Sequence, residues 1–196
     1  TICDSSEEVL LNNAAKYPEI TTTPSFSEVL ASPEINAIAI AAPAEQHYSM
    51  AKKALLSDKH IFVEKPLAMT TQEREELVQL AEKQGKILFI GHILQYHSAV
   101  QTIKNILQEG ELGKLQYIYS NRFNLGKIRR EENMLWSFAL HDISVILSFV
   151  GEEPIDVTAT ATNILYPNIA DTTITNMKFS SGIGAHIFVS WLHPFK

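Results

Sequence analysis

The sequence has little of what would mark a secreted, membrane-bound or nucleic-acid-binding protein. It contains one cysteine, Cys3, among 196 residues, so an internal disulfide is excluded and a reducing, cytoplasmic location is expected. No apolar run approaches the ~20 residues that a transmembrane helix needs, and the first residues show no signal-peptide pattern. Lys and Arg number 16 against 22 Asp and Glu, a formal net charge of −6. That balance argues against nucleic acid and membrane partners and leaves small molecules.

Motifs for metal binding and for nucleophilic hydrolysis are also missing. The seven histidines are scattered, and neither His92 nor His97 has a cysteine or acidic residue at metal-ligand spacing. No Gly-x-Ser-x-Gly motif occurs, and Cys3 has no obvious base near it in the sequence. We therefore expect no metal site and no hydrolase. With 45% hydrophobic residues, the chain can bury one good core or two small ones.

The first ninety residues alternate short apolar segments with amphipathic ones. Strands are predicted at 35–42, 61–63 and 87–90, since these runs are almost wholly apolar. Helices are predicted at 5–17, 25–31, 44–56 and 70–84. Thr70 with Glu73, and Ser25 with Glu28, have the spacing of capping boxes. Repeated strand–helix units of this kind predict an α/β fold, with a parallel sheet that binds ligands at the carboxyl ends of its strands.

The pattern changes near residue 93. Longer alternating segments at 115–124, 155–165, 172–179 and 184–191 predict strands, and 180–182 suits a hairpin turn. Helices are predicted at 95–109 and 135–150. The pattern of residues 94–196 predicts an α+β domain with a mostly antiparallel, open-faced sheet and helices on one face. We expect domains at 1–93 and 94–196, both of them truncated because the sequence begins and ends within strand patterns.

The ends of the predicted parallel strands hold the first candidate residues. Asp4, Ala42-Pro43, Glu64-Lys65-Pro66 and Gly91-His92 all follow apolar strand segments. Pro66 favours an extended backbone at Lys65, which would fix where the amine points. A lysine at that position could act as an acid or a base. A solvated lysine at a strand end is an equal alternative on position alone.

His141 is a second candidate, within the predicted helix 135–150. A polar stripe recurs along that helix at helical spacing, and it consists of Ser137, His141, Ser144 and Ser148. The alternative is that this stripe faces solvent and that His141 has only a structural role. Asp142 is adjacent to His141, and adjacent helix residues do not face each other, so we do not expect Asp142 to orient His141 directly.

A basic, polar cluster lies between a predicted strand and that helix. Its members are Arg122, Asn124, Lys127, Arg129, Arg130, Asn133 and Trp136. Arginine side chains suit phosphate oxygens, and a solvated basic loop is the alternative.

One stretch of the sequence resembles a known family. Residues 38–70, IAIAAPAEQHYSMAKKALLSDKHIFVEKPLAMT, carry Ala42-Pro43 at a strand end, then His47, an AKKAL helix and VEKPLA. In this order and spacing they are similar to the central signature of the Gfo/Idh/MocA sugar and polyol dehydrogenases. The resemblance extends through Gly91 to His141 and Asp142. It implies a Rossmann domain that binds NAD or NADP, followed by a sheet domain on the substrate side.

The resemblance also implies roles for residues. Lys65 and His141 are expected to be catalytic. The residues expected to bind the cofactor are Asp4, Ala42, Pro43, His47, Glu64, Lys65 and Pro66. Those expected to bind substrate are Lys65, Arg122, Asn124, Arg129, Asn133, Trp136 and His141. Asp4 matches the acidic residue that binds the adenosine ribose, which favours NAD over NADP because a carboxylate repels a 2′-phosphate.

The chain departs from the family pattern at two places. Most relatives carry an aspartate four residues before the active-site histidine, and here that residue is Ser137. The glycine-rich turn that binds the pyrophosphate would precede Thr1, so binding of cofactor without it is in question.

The later segments resemble the branch of the family that acts on UDP-N-acetylhexosamines and related nucleotide sugars. That implies oxidation of the sugar 3-hydroxyl. A polyol or free-sugar dehydrogenase, and a non-catalytic sugar-sensing relative, are the alternatives. The resemblance further implies a homodimer or homotetramer through the sheet of the second domain.

Overall fold

A computed structural model describes residues 1–125, 128 and 133–194. The chain divides into two compact units, Thr1–Gly91 and His92–Lys196. Within the described residues, every helix is too short or too polar to cross a membrane.

The first unit alternates strands and helices as the sequence predicts, with one further short strand at Thr22–Thr23 that the sequence does not predict. Its strands are β1 (Ile2–Cys3), β2 (Thr22–Thr23), β3 (Ala37–Ile40), β4 (His60–Val63) and β5 (Leu88–Ile90). Its helices are α1 (Glu7–Lys16), α2 (Phe26–Ala31), α3 (Ala44–Leu56) and α4 (Thr71–Gln84). All strand pairs are parallel, but they form two sheets, β1-β2 and β3-β4-β5.

The helix ends of this unit follow local sequence signals. At α4, Thr70 and Glu73 form the full capping box, and Gly85 ends the helix in a left-handed conformation at φ 61°. At α2, Ser25 accepts a hydrogen bond from the Glu28 backbone N–H, as predicted. The Glu28 carboxylate instead accepts a hydrogen bond from the Thr23 hydroxyl at 2.5 Å, so the predicted box is only half formed.

The core of the first unit lies between β3, β4 and the helices. Alternate strand residues are buried on one face, with Ile40 and Val63 at most 2% exposed. Ala51, Leu55 and Leu77 complete this cluster from α3 and α4. Because all three strands of this sheet run in the same direction, their carboxyl ends share one edge, where Ala42, Glu64 and Gly91 follow.

The second unit is a four-stranded sheet with helices. Its strands are β6 (Tyr117–Phe123), β7 (Pro154–Thr162), β8 (Thr172–Phe179) and β9 (Gly184–Ser190), in the order β6-β9-β8-β7. β6 pairs with β9 in parallel and the other pairs are antiparallel, so the mostly antiparallel sheet that the sequence predicts is confirmed. The helices are α5 (Ser98–Glu109) and α6 (Leu140–Val150).

One face of this sheet is covered and the other is open. Met177, Ile187 and Val189 are at most 4% exposed and pack with Ile146 of α6. Side chains alternate across a strand, so the intervening residues point to the opposite face. There Ile174 is 40% exposed.

Three predicted elements differ in the structure. The helix predicted at 135–150 begins as a π-helix, Leu135–Ala139, before α6. The helix predicted at 95–109 begins at Ser98, after a 3₁₀ turn at Ile93–Tyr96. The strand predicted at 155–165 ends at Thr162, because the next residues turn back and their amides bind Asp171.

Candidate active site

Main-chain pairing of the first unit continues one residue past the strands. The Glu64 N–H donates to the Ile40 carbonyl at 2.9 Å, and the Gly91 N–H donates to the Val63 carbonyl at 2.8 Å. These bonds hold the start of each loop at the carboxyl edge of the sheet. Lys65 follows at once, is half-buried and joins Pro66 through a cis peptide bond. The structure thus places Lys65 at the sheet edge where parallel sheets bind ligands.

Gly91 leaves room for the Glu64 carboxylate. A Cβ at position 91 would lie 3.0 Å from Glu64 Oε2, 3.1 Å from its Cδ and 3.2 Å from its Oε1. All three separations are shorter than ordinary van der Waals contact. Glycine at this position therefore allows the Glu64 carboxylate to lie close to the backbone of residue 91.

His47 is buried behind this loop edge. The side chain is 1% exposed, and it lies on the first turn of α3. Its Nδ1 is 2.6 Å from the Pro66 carbonyl oxygen and its Nε2 is 2.7 Å from the Ala42 carbonyl oxygen. Both ring nitrogens thus face backbone carbonyls of the expected cofactor residues Ala42 and Pro66. Direct contact between His47 and a cofactor stays a prediction.

Asp4 lies at the end of β1, as the sequence indicates. Its N–H donates to the Thr23 carbonyl at 3.3 Å, which continues the β1-β2 pairing. Its Oδ1 accepts a hydrogen bond from the Ser6 N–H at 2.8 Å, which fixes the carboxylate at the start of α1. A half-buried carboxylate in this position offers an acceptor for a ribose diol, so its chemistry fits a dinucleotide.

The start of α3 adds to this fit. Ala42 and Pro43 lie between β3 and α3, and Pro43 makes no side-chain cap for the helix. The N-terminal N–H groups of a helix favour polar or anionic neighbours. Together with Glu64 at the end of β4, and with Asp4 at the end of β1 in the other sheet, these residues have the chemistry to bind a nicotinamide dinucleotide.

In the second unit, the Asp142 side chain links α6 to β6 through hydrogen bonds. Its carboxylate is 8% exposed and accepts three hydrogen bonds. Ser120 Oγ donates to Oδ1 at 2.7 Å, Arg122 Nε donates to Oδ2 at 2.7 Å, and Arg122 Nη2 donates to Oδ1 at 3.2 Å. The Arg122 guanidinium is thereby bound to a carboxylate of its own chain. Its expected contact with a substrate phosphate stays a prediction.

The Asp142 network predicts a measurable contribution to stability. In Asp142→Asn the side-chain amide would face at least one of the Arg122 or Ser120 donors, so one buried hydrogen bond is lost. We expect the free energy of unfolding to fall by about 1–3 kcal/mol, measured by urea denaturation. In a double-mutant cycle with Arg122→Gln, the two losses should not be additive, because both variants break the same contact. Additive losses would show that the pair is not coupled.

His141 precedes Asp142 on α6 and is half-buried. Asp142 points into the network with β6. That Asp142 does not orient His141 directly stays a prediction. Asp142 holds the helix that carries His141.

The polar stripe is interrupted by the π-helix. Ser137 is 4% exposed, so it does not face solvent. The hydroxyls of Ser144 and Ser148 donate to the carbonyls of His141 and Val145, both at 2.9 Å. A π-helix turn holds more residues than an α-helix turn, so the 3.6-residue period does not continue across Ala139. π-helical segments occur frequently at functional sites.

The remaining substrate candidates are partly described. Asn133 Oδ1 accepts a hydrogen bond from the Trp136 N–H at 3.1 Å, which orders the start of the π-helix. The Asn124 N–H donates to the Ser190 carbonyl at 3.0 Å. Lys127, Arg129 and Arg130 lie outside the described residues.

Sequence reasoning missed Ser120, and it named Gly91 as a candidate without finding its partner Glu64. Ser120 lies on β6 at alternate spacing from Arg122, a signal that both side chains share a face. Gly91 follows an apolar strand directly, a position where a glycine suggests close approach of another group. The partners in both cases are distant in sequence, so their identity depends on the fold.

Comparison with known proteins agrees with this architecture. Residues 1–92 match the model of the oxidoreductase family with an NAD-binding Rossmann fold, GFO_IDH_MocA, and residues 100–196 match the GFO/IDH/MocA C-terminal domain. The chain therefore belongs to the Gfo/Idh/MocA family of oxidoreductases.

Individual relatives within this family are also similar to the chain. The UDP-N-acetylglucosamine 3-dehydrogenase of Acidithiobacillus ferrooxidans is 29% identical over 168 residues, 85% of this chain and 51% of the relative. A solved structure of that name and organism superposes with a TM-score of 0.87 at 26% identity, covering 98% of this chain and 62% of the other. The inositol 2-dehydrogenase of Salmonella paratyphi B is 24% identical over 172 residues, 84% of this chain and 51% of the relative. The chain thus spans about half the length of these curated relatives.

Proposed function

We propose that the protein is an NAD-dependent dehydrogenase that oxidises a ring hydroxyl of a sugar, the 3-hydroxyl of a nucleotide-activated N-acetyl amino sugar. The observation that carries the proposal is the position of Lys65, half-buried at the carboxyl end of the middle strand of a parallel sheet. Membership of an oxidoreductase family supports the reaction class. Similarity to a UDP-N-acetylglucosamine 3-dehydrogenase supports the substrate class.

The proposed reaction removes two hydrogens from one alcohol carbon. The Lys65 amine accepts the proton of the hydroxyl, while the C–H bond breaks and a carbonyl forms. A bound nicotinamide supplies the acceptor for the hydride. Glu64 and the Ala42-Pro43 segment would line the nicotinamide side, and Asp4 would accept hydrogen bonds from the adenosine ribose. This role for Asp4 favours NAD over NADP, because a carboxylate disfavours a 2′-phosphate.

His141 is the second residue that we propose for proton handling. An imidazole can donate or accept a hydrogen bond, so it can position the hydroxyl or relay its proton. Ser137 occupies the place where most relatives carry an aspartate, and a serine hydroxyl cannot act as a carboxylate base. The proposed chemistry therefore depends on Lys65 and His141.

Substrate recognition is proposed for the polar residues near β6 and the π-helix. Asn124, Asn133 and Trp136 supply hydrogen-bonding groups and an aromatic surface, both suited to a sugar or a nucleotide base. Arg129 would supply positive charge that suits a diphosphate. Arg122 would contact the diphosphate from its ion pair with Asp142, which offsets part of its charge.

The proposal is tested with protein produced from its complete coding sequence. The protein is incubated with NAD or NADP and a panel of UDP-N-acetylhexosamines, UDP-hexoses, free sugars and inositols, and the absorbance of the reduced nicotinamide is followed. We expect reduction of NAD with a UDP-N-acetylhexosamine. If the protein turned over a polyol or a free sugar in preference to the UDP-sugars, it would be a polyol or free-sugar dehydrogenase. Similarity to the inositol 2-dehydrogenase supports that alternative. Failure of every substrate with both cofactors would favour a non-catalytic, sugar-sensing protein.

We also propose that the protein forms a homodimer or homotetramer through the open face of the second-unit sheet. Tyr117 and Tyr119 on β6 stack on each other and are 56% and 67% exposed. Tyr119 is in register with His186, which contacts Asn176 at 3.0 Å. Light scattering should give an oligomer for the protein and a smaller species for Tyr119→Lys. A monomeric unsubstituted protein would contradict the proposal.

Gly91 offers a test of the proposed cofactor side. In Gly91→Ala the new methyl group displaces the Glu64 carboxylate, which can move because it ends a flexible side chain. We expect a stability loss of about 1 kcal/mol and cofactor binding weaker by about tenfold, measured by calorimetry. Gly184→Ala is the matched control, since its Cβ would meet the Tyr117 ring at an ordinary 3.4 Å. Equal affinity in all three proteins would show that Glu64 does not bear on the cofactor.

A further inference from the structure

His47 makes two contacts that one neutral histidine cannot satisfy. Its Nδ1 faces the Pro66 carbonyl at 2.6 Å and its Nε2 faces the Ala42 carbonyl at 2.7 Å. A carbonyl oxygen only accepts hydrogen bonds, so each ring nitrogen must donate. A neutral imidazole carries one N–H, whereas the imidazolium carries two. His47 is 1% exposed, so water does not supply the N–H donor that the neutral ring lacks.

The chain provides an internal contrast. His60, at the other end of β4, accepts a hydrogen bond at Nδ1 from the Ile87 N–H at 2.9 Å. A nitrogen that accepts a hydrogen bond carries no proton, so Nδ1 of His60 is an acceptor in this geometry. The two histidines therefore differ in the donors and acceptors that surround them.

The two carbonyls that His47 binds belong to different loops. Ala42 ends the segment after β3, and Pro66 directly follows Lys65 after β4. Holding the Pro66 carbonyl fixes the peptide units on the C-terminal side of Lys65. Holding the Ala42 carbonyl fixes the neighbouring loop relative to it. Because the anchor is on α3, both loops are tied to the same rigid element.

We propose that His47 is a doubly protonated positioning residue, a carbonyl clamp formed by its ring and the carbonyls of Ala42 and Pro66, that sets the position of Lys65. The clamp acts through the backbone and not by contact with substrate. This inference deepens the proposed function, and the role of His47 in turnover rests on that function. The charge state of the His47 ring does not depend on the proposed function.

The first test reads the ring directly. With ¹⁵N-histidine in the complete protein at neutral pH, the His47 ring should show two one-bond N–H correlations, assigned by their loss in His47→Gln. His60 should show one. A single N–H on His47 would overturn the doubly protonated clamp. This arm needs no activity, so it decides the charge state even if the protein turns over no substrate and the proposed function fails.

The second test asks whether His47 acts through Lys65. We expect His47→Leu to lower kcat by about tenfold at saturating substrate and cofactor. In the Lys65→Met background the same substitution should change kcat by less than about twofold, because the residue being positioned is gone. His60→Leu, the matched control, should leave kcat within about twofold of the unsubstituted protein. Multiplicative effects of His47→Leu and Lys65→Met would overturn the positioning role, as would an unchanged kcat in His47→Leu.

Discussion

Lys65→Met should lower kcat by about 10²–10⁴-fold, the range associated with loss of a general acid or base. Methionine keeps much of the length and the apolar stem of lysine and removes only the amine that would accept the hydroxyl proton. Cofactor binding, measured by calorimetry, should stay within about threefold if Lys65 acts in proton transfer alone. Clearly weaker binding would instead support the contact between Lys65 and the cofactor that the family resemblance implies.

The control for Lys65 is Lys53→Met. Lys53 is an exposed lysine of the AKKAL segment on α3, so the substitution removes the same charge away from the carboxyl edge. Its turnover should match that of the unsubstituted protein. If Lys65→Met kept turnover within a few-fold of normal, the proposed proton acceptor would be wrong, even if dehydrogenase activity itself were present.

Asp171→Asn should lower the free energy of unfolding by about 2–3 kcal/mol, a large loss for a single substitution. Asp171 is 0% exposed. Its Oδ2 accepts hydrogen bonds from the backbone N–H groups of Ile164 and Leu165 at 2.6 and 2.8 Å, and its Oδ1 accepts one from the Trp191 indole N–H at 2.6 Å. An asparagine can offer an acceptor to one side only and places an NH₂ group against a donor on the other.

The same carboxylate makes stability depend on pH. Burial by itself would raise the pKa of Asp171, but the hydrogen bonds from Leu165, Trp191 and Ile164 outweigh it and hold the pKa below the ordinary 3.8. The folded-state pKa is lowered, so this stabilisation is fully present above pH 3.8 and is lost as the pH falls through the folded value. The difference in unfolding free energy between the protein and Asp171→Asn should therefore be constant near neutral pH and shrink in acid.

Asp156→Asn is the matched control for Asp171. Asp156 lies on β7, and its carboxylate is 3.7 Å from Lys178 with both side chains more than half exposed. Such a surface pair contributes little, so its loss should stay below about 0.5 kcal/mol. A loss in Asp171→Asn no larger than this would contradict the proposed role of the buried hydrogen bonds.

The sequence determined the features that depend on neighbours along the chain. Apolar runs predicted β3, β4 and β5, because a short apolar run between turn residues is typical of a strand in a parallel sheet. The burial on both faces that such runs suggest is wrong for this chain, since only alternate residues of β3 and β4 are buried. The capping box of Thr70 and Glu73 formed because its members are three residues apart. The spacing between Ala42-Pro43, His47 and Glu64-Lys65-Pro66 was enough to identify the family. Lys65 directly follows one of these apolar runs, so its place at a strand end was predictable from the sequence alone.

Only the tertiary structure decided which distant side chains meet. Asp142 and Arg122 are 20 residues apart, and their contact depends on how α6 packs on β6. His47 and the Pro66 carbonyl are 19 residues apart and meet because α3 packs against the end of β4. The π-helix before His141 also has no simple sequence signal. A π-helical turn holds an extra residue, and the hydrophobic periodicity of the sequence does not reveal that residue. Local propensity and hydrophobic pattern act over a few residues, whereas sheet register and helix packing fix these contacts over the whole unit.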